Sequence, residues 1–356
     1  MELYLERSGV VPIFLTCIGE DTDTSKSEES LDGSEGSWIL PYMRKLTHVM
    51  QHAERISHLH VETSAEDLIQ CVILDMKQKT FPILDYMVLS YNDPLAPLAD
   101  LFSPLDSNLP RLKALWITGI HLNCPALSLG ALKTLGITAL DLKPSHLRAL
   151  ADSAPQLDHL QFDSCNLVEA SDDGLLAHFP VLRSLMIGNH YEPQRFLTHI
   201  SAPALTVLNI SAVTLLPSAP PELPPPLPLQ TVRSLVLADV EVEDTDEDDV
   251  VRPFDGRLFA STPHATMLTL HRCSASVAPL LEHLATAVPI ALPMLETLVV
   301  YDLDATCDDV LLRVIQHLKQ HDCPLKAMEL GKELRERLGG EWMSAVEEHV
   351  RVSVAE

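Results

Sequence analysis

The chain has 356 residues, more than the ~250–300 at which a single globular core stops growing, so it must divide into domains or lengthen its core by stacking repeated units. Hydrophobic residues make up 46%, which excludes global disorder, and aromatics at 5% suit a core of aliphatic ladders better than an aromatic-rich sandwich. A net charge of −25 repels phosphate backbones, so nucleic acid is not an expected ligand.

In chain order, "VPIFLTCI" (11–18) is predicted to be the first strand. Glu2 and Glu6 stand before it where a secretory leader would carry positive charge, and no apolar run nears the ~20 residues of a membrane span. Seven scattered cysteines without a C-x-x-C point to buried thiols in a reducing compartment, so a cytoplasmic or nuclear location is expected. Residues 19–37, "GEDTDTSKSEESLDGSEGS", have almost no apolar content and are predicted to be a disordered acidic loop.

From Ile56 onward one pattern recurs: apolar residues at i, i+3 and i+5. Eleven starts fit it, at Ile56, Leu84, Leu112, Leu132, Leu157, Leu182, Leu205, Val232, Ala265, Leu295 and Leu325. "PRLKALWI", "PQLDHLQF", "PVLRSLMI" and "PMLETLVV" are examples, and in eight of the eleven a proline stands just before the motif. Proline there stops a preceding helix and sets an extended approach to a strand. In such a strand i+3 and i+5 point inward and the residues between them face out. Position i+8 is Asn92, Cys165 and Cys273 in three units, with side chains expected inside the turn, and is apolar in Ile120, Leu140, Val213, Val240 and Leu303.

Segments between the strands have helical spacing at 144–155, 172–180, 276–289 and 308–321. A proline-rich insertion at 217–228 and an acidic one at 241–249 are predicted to leave the repeat on loops, and 332–356 to form a C-terminal helical cap. L-x-x-L-x-L units spaced by 20 to 33 residues, each with a helical return, predict an α/β fold: one leucine-rich-repeat-like solenoid over 1–356, irregular, with a curved parallel sheet.

"LYLERSG" (3–9), a short apolar strand, "HVMQHAERISHLHV" (48–61) and the repeated x-P-x-L-x-x-L-x-L units together resemble the repeat region of F-box/leucine-rich-repeat-like proteins of mushroom-forming fungi. The resemblance implies the substrate-binding half of an F-box-type ubiquitin ligase subunit. The F-box itself is absent from this chain, so a Skp adaptor and a cullin are implied partners only if an F-box precedes Met1. A stand-alone scaffolding repeat protein without a ubiquitin link is the alternative. A repeat-type GTPase activator would need an arginine or asparagine positioned on a repeat edge, and the outward columns offer no arginine.

Several clusters invite a chemical reading. His48 and His52 are spaced i, i+4 on a predicted helix, and His58 and His60 share an outward strand face; His317 and His321 precede Cys323. Imidazoles so spaced suit zinc, but no Cys or carboxylate is fixed beside the first set, which reads as a solvated helix face and outward strand residues, and the strand beginning near Leu325 should pull Cys323 from the helix face of the second. No metal or other cofactor is therefore expected. Asp244, Asp246 and Asp248 alternate as in a calcium loop that lacks its glycine and its closing glutamate. Ser27, Ser30 and Thr245 lie in acidic contexts that suit phosphorylation, against the plainer reading of solubilising loops. Pro221 to Pro224 spells P-x-x-P without the usual flanking cation, so a stiff spacer is preferred. No nucleophile elbow, P-loop or dinucleotide fingerprint is present, and catalysis is not expected.

What remains is the outward strand surface. Its columns contain no lysine or arginine, and the candidate partner-binding residues on it are Tyr86, Trp116, His159, Gln161, Met186, Asn209 and Tyr301. Large aromatics on an open sheet are what binding hot spots favour, although valine and threonine beside them are ordinary strand decoration. A monomer binding a protein substrate on the concave sheet, with no nucleic acid and no membrane, is the expectation.

Overall fold

The computed structural model describes residues 11–18, 39–92, 109–120, 129–168, 175–190, 193–215, 229–242 and 256–354. The segments at 19–37, 217–228 and 243–249, with Ser27, Ser30 and Thr245, lie outside the described residues. The protein is mixed α/β, with thirteen long strands that run parallel to their neighbours and eight helices among the described residues. It divides into two compact units, Met1–Leu157 with Val168–Ala170, and Asp158–Leu167 with Ser171–Glu356.

In the first unit β1 (Ile13–Ile18), β2 (Ile56–Thr63), β3 (Tyr86–Tyr91), β4 (Ala114–Thr118) and β5 (Thr134–Thr138) pair in chain order, all parallel. Parallel neighbours need crossovers, and α1 (Ile39–Met50) and α2 (Glu66–Gln78) supply the first two; α3 (Pro144–Ser153) follows β5. In α2, Glu66 and Asp67 occupy the first turn, where they complement the helix dipole, and Leu68, Ile69, Val72, Ile73 and Met76 form the buried stripe.

In the second unit β6 (His159–Asp163), β7 (Ser184–Gly188), β8 (Val207–Ser211), β9 (Ser234–Ala238), β10 (Met267–His271), β11 (Thr297–Val300), β12 (Ala327–Leu330) and β13 (Arg351–Val354) pair in the same manner. Its helices are α4 (Pro193–His199), α5 (Arg257–Ser261), α6 (Ala278–Thr286), α7 (Asp308–Gln320) and α8 (Lys332–Glu347). Glu282 on α6 receives both Nη atoms of Arg313 on α7. Asp308 at the start of α7 receives the Arg337 guanidinium at 2.7 Å, and its carbonyl accepts the Trp342 indole N–H at 3.2 Å, so α8 is tied to α7 at two points.

The same local geometry recurs around the strands. A turn precedes each motif: Leu112 N–H donates to Leu109 O, Leu157 to Ala154 O, Leu205 to Ala202 O and Leu295 to Leu292 O. At the strand start, one carbonyl accepts two amides of the next strand, as Asp85 O does from Lys113 and Ala114 and Arg183 O from Thr206 and Val207. At the strand end the residue at i+7 takes positive φ, at Gly119, Ala139, Ser164, Asn189, Ala212, Asp239 and Arg272. That corner turns the following side chain inward, and Ile120, Leu140, Cys165, Val213, Val240 and Cys273 are all buried. Asparagine and aspartate tolerate such a conformation well; the others are held by the surrounding hydrogen bonds. Gly119 is demanded on a second count, because a Cβ there would collide with the Tyr91 carbonyl.

The inward residues at i+3 and i+5 form two aliphatic ladders. Leu160, Leu185, Leu208, Leu235, Leu268 and Leu298 make one in the second unit, and Phe162, Ile187, Ile210, Leu237, Leu270 and Val300 the other, every member at most 2% exposed. Phe162 also stacks on Phe196 of α4, ring centroids 4.8 Å apart.

Four expectations are corrected. Residues 172–180 do not form a helix where described: Ala177–His178 is a short strand whose backbone pairs instead with Ile200–Ser201. The acidic run begins as structure, since Glu241–Val242 pairs with Thr214–Leu215. The C-terminal cap is not wholly helical, because Arg351–Val354 adds a strand beside β12. Asn92 is exposed rather than inside its turn; it donates to Glu62 at 3.0 Å and accepts from Ser90 at 2.6 Å.

Candidate functional site: the outward strand face

Because the strands pair without offset, side chains at equal motif positions stand in rows. In the first unit Phe14, His58, Tyr86, Ala114 and Thr134 make one row, and Thr16, His60, Val88, Trp116 and Gly136 the next. Phe14 stacks on His58 with centroids 4.3 Å apart, and His58 meets Tyr86 at 5.7 Å, so three rings lie side by side. Phe14 is 70% exposed, whereas Tyr86 and Trp116 are half-buried. Trp116 lies against Gly136, where even a methyl group would overlap its indole.

Polar groups frame these rings. Asp85 lies 3.8 Å from His58 Nδ1 and 3.7 Å from Lys113 Nζ, and its Oδ1 is buried without a hydrogen-bond partner among the described residues. Ser57 Oγ sits 3.1 Å from the same His58 nitrogen. His60 stands 3.7 Å from Glu62. The result is an aromatic band with a carboxylate at either end of its strands.

In the second unit Gln161, Met186 and Asn209 share one row across β6, β7 and β8. Asn209 Oδ1 is buried with no hydrogen-bond partner among the described residues. His159, one row earlier on β6, is exposed and 3.4 Å from Asp158. Tyr301 belongs elsewhere on the face: it follows β11 and meets His271 edge to face at 5.3 Å. The seven predicted residues therefore fall into a Tyr86–Trp116 pair, a β6–β8 group and a Tyr301–His271 pair.

Phe14, Ile18 and His271 complete these groups and were not among the predicted site residues. The alternation within "IFLTCI" could have marked Phe14 and Ile18, but no L-x-x-L-x-L start aligns that strand with the others. His190 was also missed. It takes the i+8 position of its unit, is 9% exposed and packs edge-on against Phe196 at 5.1 Å; burial first, then nearby Arg195, holds its pKa below the usual imidazole value.

The histidine pairs do not build a ligand set. His52 lies beyond the end of α1, and the His317 ring nitrogen is 3.2 Å from Ala287 O. Among the described residues no group of three His, Cys, Asp or Glu could hold a metal ion. Cys323 is buried with its thiol donating to Leu295 O at 3.4 Å, and burial pushes the Cys273 thiol up to about 11. Among the described residues no helix is long and apolar enough to cross a membrane.

No protein-family model matches the chain, and no curated protein matches it either. The fold defines a mixed α/β protein built on open, parallel strands, with an aromatic band on the outward face of its first unit.

Proposed function

We propose that the protein is a recognition module that binds another protein on its outward strand face, with the Phe14–His58–Tyr86 row and Trp116 as the anchor. The observation that carries this is the three-ring row beside a half-buried indole, on a face whose strands bear no lysine or arginine in the first unit. Aromatic anchors with a polar rim are the residues that dominate binding energy at protein interfaces. The recurring turn, strand and left-handed corner supports an irregular leucine-rich-repeat solenoid. With the resemblance of the units to fungal F-box/leucine-rich-repeat-like proteins, this reading makes the chain the substrate-binding part of an F-box-type ubiquitin ligase subunit, working in the cytoplasm or nucleus.

The test is affinity purification of the tagged native protein beside its Tyr86→Ala/Trp116→Ala variant, with circular dichroism to verify the fold. A partner recovered with the wild type and lost with the folded variant supports the reading; equal recovery overturns it. Skp adaptor and cullin in both eluates support the ligase assignment. Their absence beside a retained partner makes the protein a free-standing scaffold.

A further inference from the structure

β1 stands at the edge of its unit: it pairs with β2 on one side, and among the described residues no strand pairs with the other. Such an edge presents a row of backbone N–H and C=O groups, a template for a further strand, and native edges are blunted by charge, proline or shortness. β13, the edge of the second unit, is blunted in this way: it has four residues, starts on exposed Arg351 and follows Glu347 and Glu348. β1 has none of these devices. Its six residues, "IFLTCI", bear no charge in a chain whose net charge is −25.

Both faces of β1 also keep apolar side chains in water. On the outward side Phe14 and Ile18 are 70% and 55% exposed, and Val11 just before the strand is exposed as well. On the inward side Ile13, Leu15 and Cys17 are half-buried, whereas Leu59 and Val61 of β2 and Met87 and Leu89 of β3 are fully buried. An uncharged edge with apolar groups on both faces calls for a strand that is itself apolar and uncharged.

The sequence of β1 meets that requirement. Two copies related by a two-fold axis perpendicular to the sheet run antiparallel, and each face stays on its own side. With the axis at Thr16, Thr16 stands opposite Thr16 of the second copy, Phe14 opposite Ile18, and Leu15 opposite Cys17. Every such pair is apolar or hydroxyl, and a two-fold contact closes at two copies. Charge selects the antiparallel order. Glu20, Asp21 and Asp23 follow Ile18 in the sequence, and parallel pairing would start both acidic runs side by side. Antiparallel pairing starts them at opposite ends, each beside the Val11 end of the other copy, where the Arg55 guanidinium donates to Val11 O at 3.1 Å.

We propose that β1 is a self-association edge: a second copy of this chain pairs its β1 antiparallel across Thr16, and the strands of the two first units become one continuous sheet. The expected monomer is then one half of a dimer. This contact is separate from the recognition of another protein by the aromatic band and stands whether or not that band takes a partner.

Sedimentation equilibrium of the full chain, from about 5 to 500 µM, reads the mass. The wild type should pass reversibly from 39.3 kDa to twice that mass, with a Kd of about 10–100 µM, because a seam of six residues lies at the small end of interfaces. Thr16→Lys and Thr16→Asp each set like charges opposite one another across the axis and should weaken dimerisation about tenfold or more. An equimolar mixture of the two sets opposite charges there and should restore it. Thr16 is exposed in the single chain, and circular dichroism verifies that both variants fold. Rescue by mixing is a result that misfolding does not produce. Tyr86→Ala/Trp116→Ala should dimerise like the wild type, which separates failure here from failure of the strand-face reading. A wild type that stays at 39.3 kDa or grows beyond two copies overturns the proposal. So do charge variants that dimerise as well as the wild type, and a mixture that stays monomeric.

Discussion

The indole of Trp116 fills the space that a side chain at position 136 would take on the neighbouring strand of the first unit. Gly136 is therefore the seat of the aromatic band's largest residue, and its lack of a Cβ has a packing reason rather than a conformational one. Gly136→Ala should destabilise the protein by about 1–3 kcal/mol, the usual range for overpacking. In a Trp116→Ala background the same change should cost nearly nothing. Urea denaturation of the four proteins of this cycle measures the coupling; an additive result removes the contact from the account.

Phe14 separates binding from stability. Its ring is largely in water and stacks on His58. Phe14→Ala should shift folding free energy by no more than about 0.5 kcal/mol, as exposed substitutions do. Affinity for a partner captured by the wild type should fall about tenfold or more. Unchanged affinity in a surface-binding assay would leave β1 out of the recognition face.

His190 should make stability depend on pH. Its folded pKa is lowered by burial, so the unfolded chain binds the extra proton first as pH falls. Stability is then full above the ordinary imidazole pKa of about 6.5 and declines below it toward the lowered value. His190→Leu should flatten this segment of the curve. Urea midpoints at pH 7.5 and 5.5 measure the difference, and equal slopes for both proteins would refute the assignment.

Asp304 acts in a lower window. The Thr306 hydroxyl and amide hold its carboxyl below the usual carboxylate value, so its contribution is present above about pH 4 and is lost as pH falls through the lowered pKa. Asp304→Asn keeps an acceptor for the Thr306 amide without a titrating group. It should remove this acid-side loss and lower the neutral-pH melting point by only that same small contribution, and an acid-side decline as steep as the wild type's would contradict the assignment.

Much of the fold was legible from local spacing. A period of two settles which side chains turn inward, and Leu160 with Phe162, or Leu268 with Leu270, are buried as their positions in the motif require. Prolines and helical spacing likewise located α3, α6 and α7, because stops and amphipathic stripes are read over a few residues. Segment 172–180 escaped that logic: helical spelling over so few residues does not outweigh the pairing open to Ala177–His178.

By itself, then, the sequence determined the parallel strand class, the two inward ladders and the outward position of Tyr86, Trp116 and Tyr301, since each follows from neighbours along the chain. Only the tertiary structure decided that β1 brings Phe14 onto His58 and that Gly136 seats Trp116. Those meetings depend on register and on how distant segments pack. Local periodicity carries no information about either, because any strand with the same alternation satisfies it equally well.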